Sequence, residues 1–181
     1  RPDGPRTTIP RSEWRIVDRT KVEMAKGFAP GKLYEVVYES SDPWIVGLGP
    51  AAIRDVVSFF KYGGASILFN DQSSIHKRAI GFGTSQSGRF LRTFLHYGFN
   101  ADARGRKVFD GVWAHVAGAG RGSFNHRFAQ PSRDGHPLSN TLYPTDIYPF
   151  RDLPAADPVT GANQGLLDRA RRANVAPKIF Y

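Results

Sequence analysis

Strand-like and helix-like segments alternate along this chain of 181 residues, and the alternation limits its fold more than any other feature. Four segments have the apolar, β-branched or aromatic content of strands, and three segments between them repeat apolar residues at helical spacing. This order predicts an α/β fold with a mostly parallel sheet and helices on both faces. The predicted strands are 32–39, 78–83, 107–120 and 175–181, and the predicted helices are 49–64, 88–99 and 164–174.

The first part of the chain differs in composition from the rest. Residues 1–31 are rich in proline, glycine and charge, which predicts an irregular N-terminal arm, whereas 32–181 has the pattern of an α/β domain. No apolar run approaches the roughly 20 residues of a membrane span, and no signal peptide is evident, so we expect a soluble chain. The absence of cysteine excludes disulfides and cysteine nucleophiles, but it leaves the compartment open.

The net charge of +9 raises the possibility of a polyanion-binding protein. The densest basic clusters, 100–111 and 168–178, are short and interrupted by acidic residues. Such clusters are more typical of solvated surface than of a nucleic-acid site. A basic interaction module, without catalysis, therefore stays as the alternative function.

Functional residues of a parallel sheet lie beyond the carboxyl ends of its strands. One such position is the stretch "AIGFGTSQSGRF", residues 79–90, in which Ser85 lies between a predicted strand and a predicted helix. A serine held in this turn projects its hydroxyl above the sheet, and small residues are needed two before and two after it. Gly83 and Ser87 meet that need. The pattern is a variant, because Gly88 comes one position later than in G-x-S-x-G.

Three stretches resemble the bacterial α/β-hydrolase-domain proteins in which Gly-Arg-Phe follows the serine turn. They are "GFGTSQSGRFLRTFLHYGFN", "KVFDGVWAHVAGAGRGSFNHRFAQPSRD" and "LYPTDIYPF", and the resemblance extends over about residues 31–181. It implies a serine esterase or hydrolase with Ser85 as nucleophile and the Gln86 backbone N–H as one oxyanion donor. A helix-capping role for Ser85 is the structural alternative, and Ser87 is the rival nucleophile.

The acid and histidine of a catalytic triad are harder to place. In α/β-hydrolases they follow the nucleophile, with the acid expected after the strand 175–181, where this sequence stops. We therefore expect an internal segment of a larger hydrolase, completed by another part of the same or a second chain. The early strands of the fold are missing too, so we expect the isolated segment to fold poorly.

Five histidines could in principle complete the triad internally: His76, His96, His115, His126 and His136. His126 is the best candidate, because its loop leaves the strand next to Ser85, although a substrate or loop contact is favoured over general base. Arg89 is a second possible contact. Asp134 is a weak candidate for the acid, and Asp146 has a surface or packing role as its simpler interpretation.

The sequence thus predicts carboxylic ester hydrolysis through an acyl-enzyme on Ser85, acting on a small-molecule ester. The alternative is a non-catalytic protein, either hydrolase-like or a basic interaction module that binds polyanions. No zinc-ligand spacing, Walker loop or dinucleotide signature is present, so no metal or cofactor is implied. Neither nucleic acid nor a membrane is expected as a partner.

Overall fold

A computed structural model describes residues 5–39, 41–42, 45–63, 78–122 and 146–181. The chain divides into two compact units. The first comprises Arg1–Pro43 and Ser132–Tyr143, and the second comprises Trp44–Pro131 and Pro144–Tyr181. The domain boundary that the sequence places between 31 and 32 stays a prediction.

The described part of the first unit contains a short hairpin. A 3-10 turn, Arg11–Glu13, leads into strand β1, Trp14–Ile16, which pairs antiparallel with β2, Val22–Met24. The strand predicted at 32–39 is wrong, because this segment has no strand conformation. Its side chains are largely solvated, with Val37 93% exposed, and a strand needs a neighbouring backbone to accept its hydrogen bonds.

The second unit contains the α/β part of the chain. Its helices are α1, Gly49–Lys61; α2, Gln86–His96; and α3, Asp168–Arg172. Its strands are β3, Ile80–Thr84; β4, Gly111–His115; β5, Arg121–Gly122; β6, Asp146–Ile147; β7, Ala155–Ala156; β8, Asn163–Gln164; and β9, Lys178–Phe180. None of the described helices is long and apolar enough to cross a bilayer.

Three strands form the parallel sheet in the order β3, β4, β9, as the alternation of strands and helices predicted. Phe82, Trp113 and Phe180 lie side by side across it. Two further pairs, β5 with β6 and β7 with β8, are antiparallel. Each of these strands has two residues, which is too short for a periodic pattern in the sequence. The structure is therefore a partial α/β fold.

Helix α2 carries the core on one face of the sheet. Leu91, Phe94 and Leu95 are buried, as the apolar spacing predicted, and Phe94 is fully inaccessible. The helix ends at His96, and Gly98 follows with a φ of 85°, a value that glycine adopts without strain. The buried cluster also contains Val108, Phe109, Val112, Ala114, Ala117, Leu166 and Leu167.

The other face of the sheet is open in the described structure. Side chains alternate along a strand, so that Val112 and Ala114 of β4 face the core while Trp113 faces outward. Trp113 is 47% exposed and its ring lies 5.2 Å from that of Phe82, which is 60% exposed. A row of exposed aromatic rings therefore crosses the sheet on the face opposite α2.

Helix α1 is present as predicted, with a proline in its first turn. The spacing of the sequence places Ile53, Val56, Val57 and Phe60 on one side of this helix. That side is partly covered, since Val57 packs against the core whereas Val56 is 54% exposed, and Ser58 is the buried residue of the helix. Polar contacts also attach this helix: Ser58 Oγ donates to Asp102 at 2.5 Å, and Lys61 forms an ion pair with Asp110 at 2.7 Å.

Helix α3 is shorter than predicted at both ends. Gln164, expected in this helix, pairs with Ala155 in the β7–β8 hairpin instead. Leu166 and Leu167 are buried in the core before the helix begins at Asp168. The predicted helix thus included one residue of a hairpin and two residues that are buried in a turn.

Candidate active site

Ser85 occupies the sharp corner between β3 and α2. Its φ of 53° and ψ of −113° lie in a region that residues with a side chain rarely adopt. Its N–H donates to the His115 carbonyl at the end of β4, at 2.9 Å, and its own carbonyl accepts from the Arg89 N–H at 3.0 Å. The unfavourable corner is therefore held from two sides, by the neighbouring strand and by the first turn of α2.

Two glycines allow the strand and the helix to approach each other at this corner. A Cβ atom on Gly83 would lie 2.6 Å from the Ser87 carbonyl carbon and oxygen, and one on Gly88 would lie 2.8 Å from the Ala117 Cβ. The small residue predicted at 83 is thus required. The second close approach falls on Gly88 and not on the Ser87 side chain, which is exposed. The glycine one position late in the motif is the one that faces β4.

The side chain of Ser85 is exposed and makes no capping hydrogen bond to the start of α2. A capping serine would accept a hydrogen bond from the second or third N–H of the helix, so this geometry does not support the capping alternative. Ser87 lies within the first turn of α2, outside the strained corner. The geometry therefore favours Ser85 over Ser87 as the reactive hydroxyl, and its role as nucleophile stays a prediction.

Gln86 is the first residue of α2. The first N–H groups of a helix have no partner within the helix, and they carry partial positive charge. No hydrogen bond within the described residues uses the Gln86 N–H. Within the described part of the chain that donor is unpaired beside Ser85, as an oxyanion donor must be.

Two of the five histidines lie in the described part, and neither is paired as a triad base. His96 ends α2, about 15 Å along the helix from its start. Burial, with Arg121 and Arg169 nearby, lowers the pKa of His96 to about 4. His115 is exposed on the outer face of the sheet, with its ring 6.0 Å from that of Trp113. Among the described residues, no hydrogen bond or ion pair joins a histidine to a carboxylate.

Only some of the remaining predicted site residues lie in the part of the chain that the structure describes. His76, His126, Asp134 and His136 lie outside the described residues, and the backbone of Asp146 belongs to β6. Arg89 is half-buried in α2, four residues beyond Ser85, and its contact with substrate stays a prediction. No group of three or more potential metal ligands lies together in the described ranges.

Sequence reasoning missed Arg92, whose side chain is only 4% exposed. Its Nε donates to the Gly120 carbonyl at 3.1 Å and its Nη2 to the Ala119 carbonyl at 2.5 Å. These bonds tie α2 to the loop that follows β4. The only signal in the sequence is an arginine directly after Leu91 in an apolar helix face, because the carbonyls that it binds have no residue signature.

A cavity of about 810 Å³ lies beside the carboxyl end of β4, and we name it the β4 cleft. Residues 114–119, which include His115, form one wall, and residues 150–153 form another. Arg92, Arg171 and Tyr181 complete it. Ser85 is not part of the lining, but its N–H is bonded to the carbonyl of His115. The candidate nucleophile and the cleft are therefore neighbours along the edge of the sheet.

Comparisons with known proteins agree with this geometry. No significant match to the chain was found among curated proteins or among solved structures. A family model described as the alpha/beta hydrolase domain matches residues 12–163, the greater part of the chain, including β3, Ser85 and α2. The chain therefore belongs to the alpha/beta hydrolase domain family.

Proposed function

We propose that this protein is a serine hydrolase that cleaves carboxylic esters, with Ser85 as its nucleophile. The observation that carries the proposal is the backbone of Ser85, which has a positive φ although it is not glycine. Such strain persists only where the surrounding structure enforces it, and it is concentrated at functional sites. Membership of the alpha/beta hydrolase domain family supports the same interpretation.

The proposed reaction has two steps. Ser85 Oγ attacks the ester carbonyl carbon, its proton passes to a base, and the ester's alcohol leaves with a proton to form an acyl-enzyme. Water then attacks the acyl-enzyme, releases the carboxylic acid and returns the proton to Ser85. In both steps the Gln86 N–H stabilises the oxyanion, and each such donor contributes roughly 3 kcal/mol to lowering the barrier.

The base and the acid belong, in this proposal, to residues beyond those that the structure describes. His126 and Asp134 are internal candidates, and another part of the same hydrolase is the expected source. Neither described histidine suits the role, because His96 lies at the far end of α2 and His115 makes no contact with a carboxylate. Ser85 alone therefore does not constitute a catalytic triad.

Fluorophosphonate labelling of the full native protein tests the proposal. The reagent should add to one serine, and peptide mapping should locate the adduct on Ser85. Ser85→Ala should abolish both labelling and hydrolysis of a short-chain p-nitrophenyl ester, whereas Ser87→Ala, two residues away in α2, should retain both. An adduct on Ser87, or esterase activity that survives Ser85→Ala, would overturn the proposal. A protein that carries no label and does not hydrolyse the ester would do the same.

A further inference from the structure

The β4 cleft has an apolar lining that is open to solvent. Val116, Phe150 and Leu153 are 63%, 45% and 58% exposed, yet all three line this one concave surface. Small residues of the chain after β4, among them Ala117 and Ala119, leave the space between them. Concave surfaces of this size with exposed apolar side chains are typical of ligand sites rather than of ordinary protein surface.

The charges of the cleft are unbalanced. Three arginines and one aspartate line it, which leaves a formal net charge of +2. Arg151 and Arg171 are exposed, and no ion pair within the described residues involves either of them. An apolar cavity with two cations that pair with no carboxylate of the described residues favours a ligand that is itself apolar and negatively charged.

The aspartate of the cleft, Asp152, already has two partners within the wall. Tyr181 Oη donates to Asp152 Oδ1 at 2.6 Å, and the Arg92 guanidinium lies 3.7 Å from the same carboxylate and 5.1 Å from the Tyr181 ring. Arg92 therefore balances Asp152 within the wall. The negative charge of Asp152 thus does not neutralise Arg151 and Arg171 at the rim.

The backbone of the cleft is strained where it leaves β4. Val116 has a φ of 43°, which is an outlier for a β-branched residue. Val116 lines the cleft, and the loop that follows it is held by the bonds from Arg92 to the carbonyls of Ala119 and Gly120. Backbone strain of this kind is concentrated at functional sites, and here it occurs in the wall of the cleft, just before a loop that a buried arginine holds in place.

We propose that the β4 cleft binds an apolar carboxylate, with the hydrocarbon part against Val116, Phe150 and Leu153 and the carboxylate between Arg151 and Arg171. Guanidinium groups bind carboxylates with charge-assisted hydrogen bonds. The acid released by ester hydrolysis belongs to this chemical class. That match rests on the proposed function, whereas the binding itself does not, because Ser85 is not part of the cleft.

Titration calorimetry on the full native protein tests the proposal, with octanoate as the charged probe and octanamide as its neutral counterpart. Octanoate should bind to one site, and octanamide at least tenfold more weakly. Arg151→Ala and Arg171→Ala should each weaken octanoate binding roughly fivefold, since each removes one partly solvated ion pair. Binding should also weaken as salt screens the two arginines.

Arg172→Ala is the matched control, because Arg172 neighbours Arg171 in α3 but does not line the cleft. It should bind octanoate as tightly as the native protein. Equal binding of octanamide and octanoate, equal effects of the Arg171 and Arg172 substitutions, or no octanoate binding would each overturn the proposal. Ser85→Ala should leave octanoate binding unchanged. Failure of fluorophosphonate labelling with intact octanoate binding would therefore refute the proposed function alone.

Discussion

The Ser85 N–H donates to the His115 carbonyl at 2.9 Å, and this bond joins the corner after β3 to the last residue of β4. It extends the parallel pairing of β3 and β4 by one residue, since Thr84 is already the register partner of His115. The strained serine is thereby fixed to the neighbouring strand before α2 begins. The position of the candidate nucleophile thus depends on β4 as much as on its own turn.

Substituting Gly88 should disturb this arrangement. The Cβ of Gly88→Ala would lie 2.8 Å from the Ala117 Cβ and 3.0 Å from the Gly83 carbonyl oxygen, so α2 must move away from β3 and from the chain that follows β4. We expect a loss of about 2 kcal/mol in the free energy of unfolding, together with reduced fluorophosphonate labelling of Ser85. Chemical denaturation of the full native protein measures the first effect, and mass spectrometry the second.

Gly49→Ala is the control for this substitution, because a Cβ on Gly49 at the start of α1 meets no atom within 4 Å. It should change the free energy of unfolding by less than about 0.5 kcal/mol. Indistinguishable denaturation midpoints for the Gly88 and Gly49 variants would show that α2 does not pack against Gly83 and Ala117 as closely as described.

Ser85→Gly should stabilise the protein while abolishing labelling. The φ of 53° and ψ of −113° at Ser85 cost about 1–3 kcal/mol for a residue with a side chain, and glycine relieves most of that strain. Glycine loses about 0.5–1 kcal/mol through its freer unfolded chain, so we expect a net gain of about 1 kcal/mol. Ser87→Gly, inside α2, should be destabilising. A lower melting temperature for Ser85→Gly than for the native protein would contradict the strained corner.

Asp102 should contribute to stability at neutral pH and lose that contribution in acid. Burial alone would raise its pKa, but hydrogen bonds from Ser58 and from the Arg106 and Arg104 groups outweigh burial and hold the pKa well below its usual range. Since the pKa is lower in the folded state, the stabilisation is complete above the unfolded value of about 3.9 and falls as the pH drops below it.

Asp102→Asn tests this network. The loss in the free energy of unfolding should be about 2 kcal/mol at pH 7 and should shrink towards pH 3, where the Asp102 carboxylate of the unfolded chain becomes protonated while that of the folded protein stays ionised. Denaturant titrations at several pH values measure it. Asp55→Asn, at an exposed carboxylate paired with the adjacent Arg54, should change stability by less than about 1 kcal/mol. A constant difference between native and Asp102→Asn across this pH range would refute the assignment.

His96 should stay neutral in the folded protein at pH values where an ordinary histidine is charged. Its pKa is lowered to about 4, chiefly by burial, while an unfolded histidine titrates near 6.5. The unfolded state therefore binds a proton first, and the stability from His96 is lost as the pH falls from about 6.5 to 4. NMR titration of the His96 ring measures the pKa, and His96→Leu should remove this part of the pH dependence. A ring that titrates near 6.5 would contradict the described burial.

The alternation of strands and helices was sufficient to predict the parallel sheet, α2 with its buried face, and the corner at Ser85. These features depend on local spacing: a strand that ends at a serine flanked by glycine, followed by apolar residues every three or four positions. Gly98 at the end of α2 is predictable for the same reason, since few other residues adopt its φ of 85°.

The errors arise where a segment needs a distant partner. Residues 32–39 have strand-like composition, but strand conformation requires a neighbouring backbone, and composition does not show whether one is present. The apolar spacing of α1 predicted which residues share a face, whereas its attachment through Ser58 and Lys61 depends on Asp102 and Asp110, which lie 44 and 49 positions further along the chain.

The sequence by itself determined the periodicities, the family resemblance and the residue types at the serine turn, because each of these depends on residues that are close together in the chain. Only the tertiary structure decided that Gly88 is the second close contact, that Arg92 is buried against the Ala119 and Gly120 carbonyls, and that Arg151 and Arg171 share one cleft. The physical reason is that each of these contacts joins elements that are separated in the chain. Every residue has a backbone carbonyl, and the walls of a cavity come from separate segments, so neither can be recognised from the order of the residues.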